Sequence, residues 1–234
     1  MIAIEALASG STGNCYRVTD GSAPLLIECG VKFRELQKRL NYQVSGLAGC
    51  LISHEHQDHA KAAADIIRAG VDCYMSEGTT GALGLTGHRV RGVEARRQFQ
   101  VGTWTILPFE TQHDAAEPLG FLLANGTDDK LLYATDTYYL RYRFASLTHI
   151  MLEVNYALDI LEENVARGAI PPMLKDRILK SHFSLEHAKQ FLAVNDLSRV
   201  EEIWLLHLSD GNSDAEKFKR EIQELTGKPV IVAG

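Results

Sequence analysis

No stretch of the 234-residue chain approaches the roughly 18 uninterrupted apolar residues that a membrane-spanning helix needs. Nor does its start, MIAIEALASGSTGN, offer a basic segment followed by a longer apolar run. Neither a span nor an export signal is therefore expected, and the cytoplasm is the expected compartment. Cysteine is scarce, and Cys15, Cys29, Cys50 and Cys73 stand far apart, without the CxxC spacing of a thiolate metal site. With no export signal, these thiols are expected to be reduced and buried rather than bridged. Basic charge is in deficit. Lys and Arg number 24 against 30 Asp and Glu, a formal net charge of −6, which excludes a surface coated for nucleic acid but not a local basic groove. Internal repeats, low-complexity tracts and linkers are also absent, so one domain over residues 1–234 is expected.

What is present is the balance of a soluble globular protein: 45% hydrophobic and 23% charged residues. Short apolar runs predict strands over 2–7, 16–19, 25–28, 49–53, 73–75, 99–101, 103–109, 121–124, 130–135, 150–154, 202–206 and 230–232. Helical spacing of Phe33, Leu36 and Leu40 predicts a helix over 32–40, and an alanine-rich segment another over 61–69, closed by Gly70. Residues 158–195 read as predominantly helical, divided by Pro171-Pro172, with Ser184 capping the last piece so that Glu186 and His187 lie in its first turn. A closing helix covers 214–225. Strand-rich segments each followed by helices suit an α+β sandwich, two sheets packed together with helices on both outer faces.

The chemistry concentrates in Ser53-His54-Glu55-His56-Gln57-Asp58-His59, immediately after an apolar strand and before a helix. On a turn, His54 and His56 can converge on one metal, while Asp58 and His59 at the helix start face a second. Imidazole nitrogen and carboxylate oxygen are the donors that zinc and similar divalent ions prefer. A two-metal site needs more ligands than this loop supplies. His113, Asp136 and His207 each follow an apolar strand, and residues at the ends of neighbouring strands can meet at one edge of a sheet. Taken singly each could be a turn or surface residue; together, after HxHxDH, they form a candidate ligand set.

HEHQDH, the downstream histidine, the TDT aspartate and the strand-end histidine resemble the metal-binding motif series of the metallo-β-lactamase superfamily. SGSTGN at Ser9–Asn14, HDAAEPLGF at His113–Phe121, YATDT at Tyr133–Thr137, LEVNYALDIL at Leu152–Leu161, SHFSLEHA at Ser181–Ala188 and LLHLSDGNSD at Leu205–Asp214 are similar to its WalJ-like (YycJ-like) subgroup. The resemblance implies the αββα fold and a phosphodiester hydrolase, a DNA exonuclease first, with small-molecule hydrolysis of a cyclic phosphodiester, thioester or lactone as the alternative. It implies two divalent ions per chain, zinc first and manganese or iron as alternatives. His54, His56 and His113 would hold one ion, Asp58, His59 and His207 the other, with Asp136 bridging. The nucleophile would be a hydroxide shared by the ions, oriented or deprotonated by Asp58 or Asp136. Glu28 stands where the superfamily commonly has aspartate, a departure after which its longer carboxylate could still orient a ligand histidine.

His182 is not needed as a ligand. By the same resemblance it would bind the scissile phosphate or protonate the leaving oxygen. Ser9, Ser11 and Asn14 could present a phosphate-binding loop or only form a tight turn. Asn155 and Tyr156, just past a strand end, could enter the substrate cleft. Two arginine-rich stretches, 88–97 and 141–143, could follow a nucleic acid, DNA ahead of RNA, or simply be solvated.

Overall fold

The computed structural model describes residues 1–234, and the chain falls into two compact units. Unit 1 comprises Met1–Glu110, Ala115–Asp129 and Gly234, and unit 2 comprises Thr111–Asp114 and Lys130–Ala233.

In unit 1, strands β1 (Ala3–Ala8), β2 (Cys15–Thr19) and β3 (Leu25–Ile27) pair antiparallel. Strands β4 (Gly49–Leu51), β5 (Cys73–Met75) and β6 (Val90–Gly92) then add in parallel, in the order β1-β2-β3-β4-β5-β6. Parallel neighbours need crossovers. These contain α1 (Phe33–Arg39), the short pair α2 (Gln57–Ala60) and α3 (Ala63–Arg68), and α4 (Glu77–Leu83). The central strands β3 and β4 are buried at every residue, which is why they read as continuous apolar runs rather than alternating ones. Strands β7 (Phe99–Val101), β8 (Trp104–Glu110) and β9 (Leu119–Ala124) form an antiparallel meander. Fully buried Trp104 donates its indole N–H to the Ala23 carbonyl at 2.7 Å, satisfying the one polar atom that its burial would otherwise strand.

Strand β6 was not among the expected strands, and two helical elements of unit 1 also depart from the sequence expectation. Helix α4 was not predicted, because EGTTGAL carries two glycines and two threonines, all poor helix formers. Its ends make it: the Ser76 hydroxyl accepts the Thr79 N–H at 3.1 Å, and Gly84 closes the helix in the left-handed region at φ 62°. The single helix expected over 61–69 instead begins earlier and divides into α2 and α3. At the break the Ala62 N–H donates to the Cys29 carbonyl, tying the helix pair to the loop after β3. The four cysteines are buried and unbridged, as expected. Burial pushes the Cys15 and Cys29 thiols up, and hydrogen bonding with Cys29 and Cys73, reinforced by burial, does the same for Cys50. They are inert core groups.

In unit 2, β10 (Lys130–Ala134), β11 (His149–Glu153), β12 (Glu202–Leu206) and β13 (Val230–Val232) run parallel in that order. Helices α5 (Leu158–Ala166), α6 (Pro172–Ser181), α7 (Leu185–Val194) and α8 (Ala215–Thr226) complete the unit. The Pro171-Pro172 break falls where expected, with Pro172 opening α6. Ser184 caps α7 by accepting the His187 N–H, and Asp214 caps α8 by accepting from Lys217. Because β10, β11 and β12 are adjacent and parallel, their carboxyl ends lie along one edge, where open α/β sheets bind ligands.

Candidate active site

In unit 1, residues 53–59 form the loop that leaves β4 and enters α2. His54 and His59 are buried, and the ring centroids of His54 lie 4.7 Å from His56 and 4.3 Å from His59. His54 Nδ1 bonds the Ser53 hydroxyl at 2.8 Å, while its Nε2 lies 3.1 Å from His56 Nδ1. Asp58 Oδ2 is 3.3 Å from His59 Nε2. The four candidate donors of the loop are thus gathered, with His56 and Asp58 partly exposed, the latter at 24% of its side chain.

Two other segments brace this loop. Glu28, fully buried and at φ 61°, takes the Ser53 N–H at 3.3 Å and stands 3.7 Å from His59 Nδ1. The longer carboxylate therefore reaches the histidine loop. The SGSTGN loop ends in Asn14, also fully buried. Its N–H donates to the Asp58 carbonyl at 2.7 Å, and its side-chain amide lies 3.2 Å from His59 Nε2. Ser9 bonds the Tyr16 hydroxyl, and Ser11 is exposed. Gly30, whose N–H donates to the Asn14 carbonyl, passes so close to the loop that a Cβ there would sit 1.6 Å from the Asp58 carbonyl oxygen. Only glycine fits.

In unit 2, Asp136 follows β10, Glu153 ends β11 and His207 follows β12. His113 is also here. Asp136 is buried and turns one oxygen to each neighbour, Oδ2 at 3.4 Å from His113 Nε2 and Oδ1 at 3.3 Å from His207 Nδ1. Asp136 and His207 both adopt left-handed backbone, at φ 44° and 54°. Strain of that kind persists where the surroundings impose it, and it gathers at functional sites. Asn155 holds His207 in that shape by donating its side-chain amide to the His207 carbonyl at 2.9 Å, and Tyr156 is buried beside it in the chain.

Sequence reasoning missed Glu153. It is fully buried, and its Oε1 lies 2.6 Å from His182 Nδ1 and 3.4 Å from His207 Nδ1. Its Oε2 accepts the backbone N–H groups of Thr137 and Phe183. The signal was there to read: a carboxylate closes HIMLE, a strand otherwise buried throughout. Strand β11 lies between β10 and β12, so its terminal side chain falls between the two predicted strand-end residues. One nitrogen or oxygen from each of Asp136, Glu153, His182 and His207 lies within 4.8 Å of the others. His182, 21% exposed, is the most accessible of the Glu153–His182–His207 set, stacked on His207 at 5.4 Å and edge-on to His113 at 5.6 Å.

The electrostatics separate two histidines. Burial holds His113 below the ordinary histidine range despite the pull of Asp136. Burial also opposes charge on His182, but the Glu153 carboxylate and its hydrogen bond outweigh that, and the ring is pushed up. Glu153 in turn is held below its usual range, because the attraction and hydrogen bond of His182 overcome burial and the like charge of Asp136.

The donor set fits divalent cations on an independent ground. His113 Nδ1 faces the Ser181 carbonyl at 2.9 Å, and a carbonyl only accepts, so that nitrogen carries the proton. In the neutral ring the lone pair of His113 is then on Nε2, facing an Asp136 carboxylate oxygen at 3.4 Å. Two acceptors face each other across a gap that a cation would bridge.

The chain matches the family model for a β-lactamase superfamily domain over residues 24–207, well over half its length. It is 30% identical to the exodeoxyribonuclease WalJ of Streptococcus pneumoniae serotype 2, across 90% of this chain and 82% of that one. With the exodeoxyribonuclease YycJ of Bacillus anthracis it shares 27% identity, across 94% of this chain and 87% of that one. Among solved structures, the metallo-β-lactamase fold protein YhfI from Bacillus subtilis superposes with a TM-score of 0.75 at 16% identity, covering 99% and 96% of the two chains. That likeness speaks to fold alone. No helix of the chain is long and apolar enough to cross a membrane.

Proposed function

The chain belongs to the metallo-β-lactamase superfamily, resembles its WalJ-like members and is a hydrolase of that α+β, αββα fold; from that premise we propose that it hydrolyses phosphodiester bonds, as a DNA exonuclease. The observation that carries this reading is the accessible His182, hydrogen-bonded to Glu153 at 2.6 Å and stacked on His207: a proton donor beside a metal-ligand set suits a reaction with an anionic substrate and an oxyanion leaving group. The names of the two curated relatives, exodeoxyribonucleases similar over most of the chain, support DNA as the polymer.

His54, His56 and His113 would hold one divalent ion, Asp58, His59 and His207 a second, and Asp136 would bridge them. Zinc suits the imidazole-rich donors, and manganese or iron share them. When bound, such a pair supplies an oxygen nucleophile at neutral pH and neutralises charge on phosphoryl oxygens. The chain's own residues do the rest. Asp58, partly exposed, accepts a proton from the attacking water, Asp136 fixes both histidines beside it, and His182 hydrogen-bonds the scissile phosphate and protonates the departing oxygen. Asn14 and Glu28 keep the histidine loop in place, and Asn155 does so for His207.

End-labelled DNA and RNA, incubated with enzyme loaded with zinc, manganese or iron, test the proposal. Release of labelled mononucleotides from DNA, ahead of RNA and abolished by Asp136→Ala, is expected. Turnover of small esters alone, or nuclease activity persisting in that variant, overturns it.

A further inference from the structure

Unit 2 carries a cavity of about 260 Å³ that the chemistry above does not use. Its walls are residues 139–143 on one side, and Phe183, His187 and Phe191 on the other. Resting on the phosphodiesterase reading, we propose that this cavity takes one nucleobase of the strand, the base of the nucleotide adjoining the scissile phosphate, with Arg141 and Arg143 on the neighbouring phosphates.

Three observations converge. First, each wall is tethered to the site by chain. Phe183 directly follows His182, and residues 139–143 begin three positions after Asp136, with the Thr137 hydroxyl donating to the Tyr139 carbonyl to fix the turn. Consecutive Cα atoms are about 3.8 Å apart, so the Phe183 wall starts a single step from His182. Second, the lining is aromatic, with Phe183 and Phe191 edge to face and the Arg141 guanidinium 5.6 Å over the Tyr142 ring. Aromatic faces backed by arginine are how proteins hold bases without reading their sequence. Third, the arginines are available. Arg89 and Arg91 both bind Asp72, Arg96 binds Glu110 and Arg97 binds Glu94, so each guanidinium of the other basic stretch has a carboxylate partner within the protein. Arg141 and Arg143 are exposed and no carboxylate pairs with either. In a chain of net charge −6, two guanidinium groups without a carboxylate partner, lining an aromatic cavity, complement a phosphate backbone. The volume lies just under the roughly 300–1,000 Å³ of pockets for drug-sized ligands, which suits a single base.

Calorimetric titration of the full-length enzyme with deoxyadenosine monophosphate and with 2-deoxyribose 5-phosphate tests this, beside exonuclease kinetics on strands whose terminal nucleotide is intact or abasic. Base stacking of ordinary strength predicts about tenfold tighter binding of the nucleotide. It also predicts a KM about tenfold higher for the abasic end. Tyr142→Ala should erase both differences and Tyr142→Phe restore them, while Arg141→Ala with Arg143→Ala, at exposed positions, should weaken both ligands together. Equal binding of the two ligands, or a base preference unchanged in Tyr142→Ala, overturns the assignment, even where DNA is cleaved. Conversely, Tyr142-dependent nucleotide binding without any strand cleavage leaves the cavity as a nucleotide site and removes the nuclease reading.

Discussion

Glu153 Oε1 and His182 Nδ1 lie 2.6 Å apart, the shortest of the carboxylate–histidine approaches in unit 2 described above. The pair sets the proton on His182: burial favours the neutral ring, yet the carboxylate pushes it up. A raised histidine is fully protonated below its ordinary range and loses its proton only as pH rises through the higher folded value. Turnover that draws on this proton is therefore full on the acid side and falls at alkaline pH. Glu153→Gln removes the charge and should move that alkaline limb of the kcat profile towards lower pH. A limb that stays in place in the variant would show that His182 is not the group titrating.

His182 itself separates acid catalysis from metal binding. General acid–base catalysis contributes about 10²–10⁴-fold. His182→Ala should accordingly lower kcat by about two orders of magnitude or more while elemental analysis finds the same metal content as in the native enzyme. Loss of an ion in that variant reassigns His182 as a ligand, an alternative worth measuring because its ring shares the compact donor group with Asp136, Glu153 and His207.

Gly30 gives a structural test far from any reacting atom. A methyl group at this position would meet the Asp58 backbone carbonyl oxygen at 1.6 Å, with no flexible side chain to give way. Overpacking of this kind costs about 1–3 kcal/mol or more. Gly30→Ala should lower the thermal midpoint by several degrees, and it should reduce metal content, since the displaced segment carries Asp58 and His59. A variant with native midpoint and native metal content would mean the loop adapts without moving its donors.

The histidine loop was legible because its donors are contiguous, so spacing alone reveals them. Asp136 and His207 were legible from position, each directly after an apolar strand. Glu153 was not, although it obeys the same rule, because its role depends on β11 lying between β10 and β12, an order that the sequence does not state. Asn14 illustrates a different limit. Glycines and hydroxyls in SGSTGN suit a phosphate loop or a turn equally, and only the folded chain shows the asparagine buried against Asp58 and His59. Helix α4 was hidden by its composition and made by its caps.

Asp136 offers the most direct measure of whether cations hold this site together. Asparagine tolerates left-handed backbone, so Asp136→Asn keeps the φ of 44° and nearly the same shape while deleting one negative charge. Ions bound by the native enzyme would stabilise the fold by mass action, about 2.7 kcal/mol at a hundredfold excess over the dissociation constant. They would also offset the like charges of buried Asp136 and Glu153. Chelation should therefore lower the native midpoint clearly and abolish activity, both restored by added zinc or manganese. In Asp136→Asn the apo protein should be no less stable than native apo protein, because a buried repulsion has been removed. The variant should bind at least one ion fewer and lose most of the midpoint difference between loaded and chelated forms. A variant that keeps two ions per chain, or that responds to chelation as the native enzyme does, would exclude Asp136 as the bridging ligand.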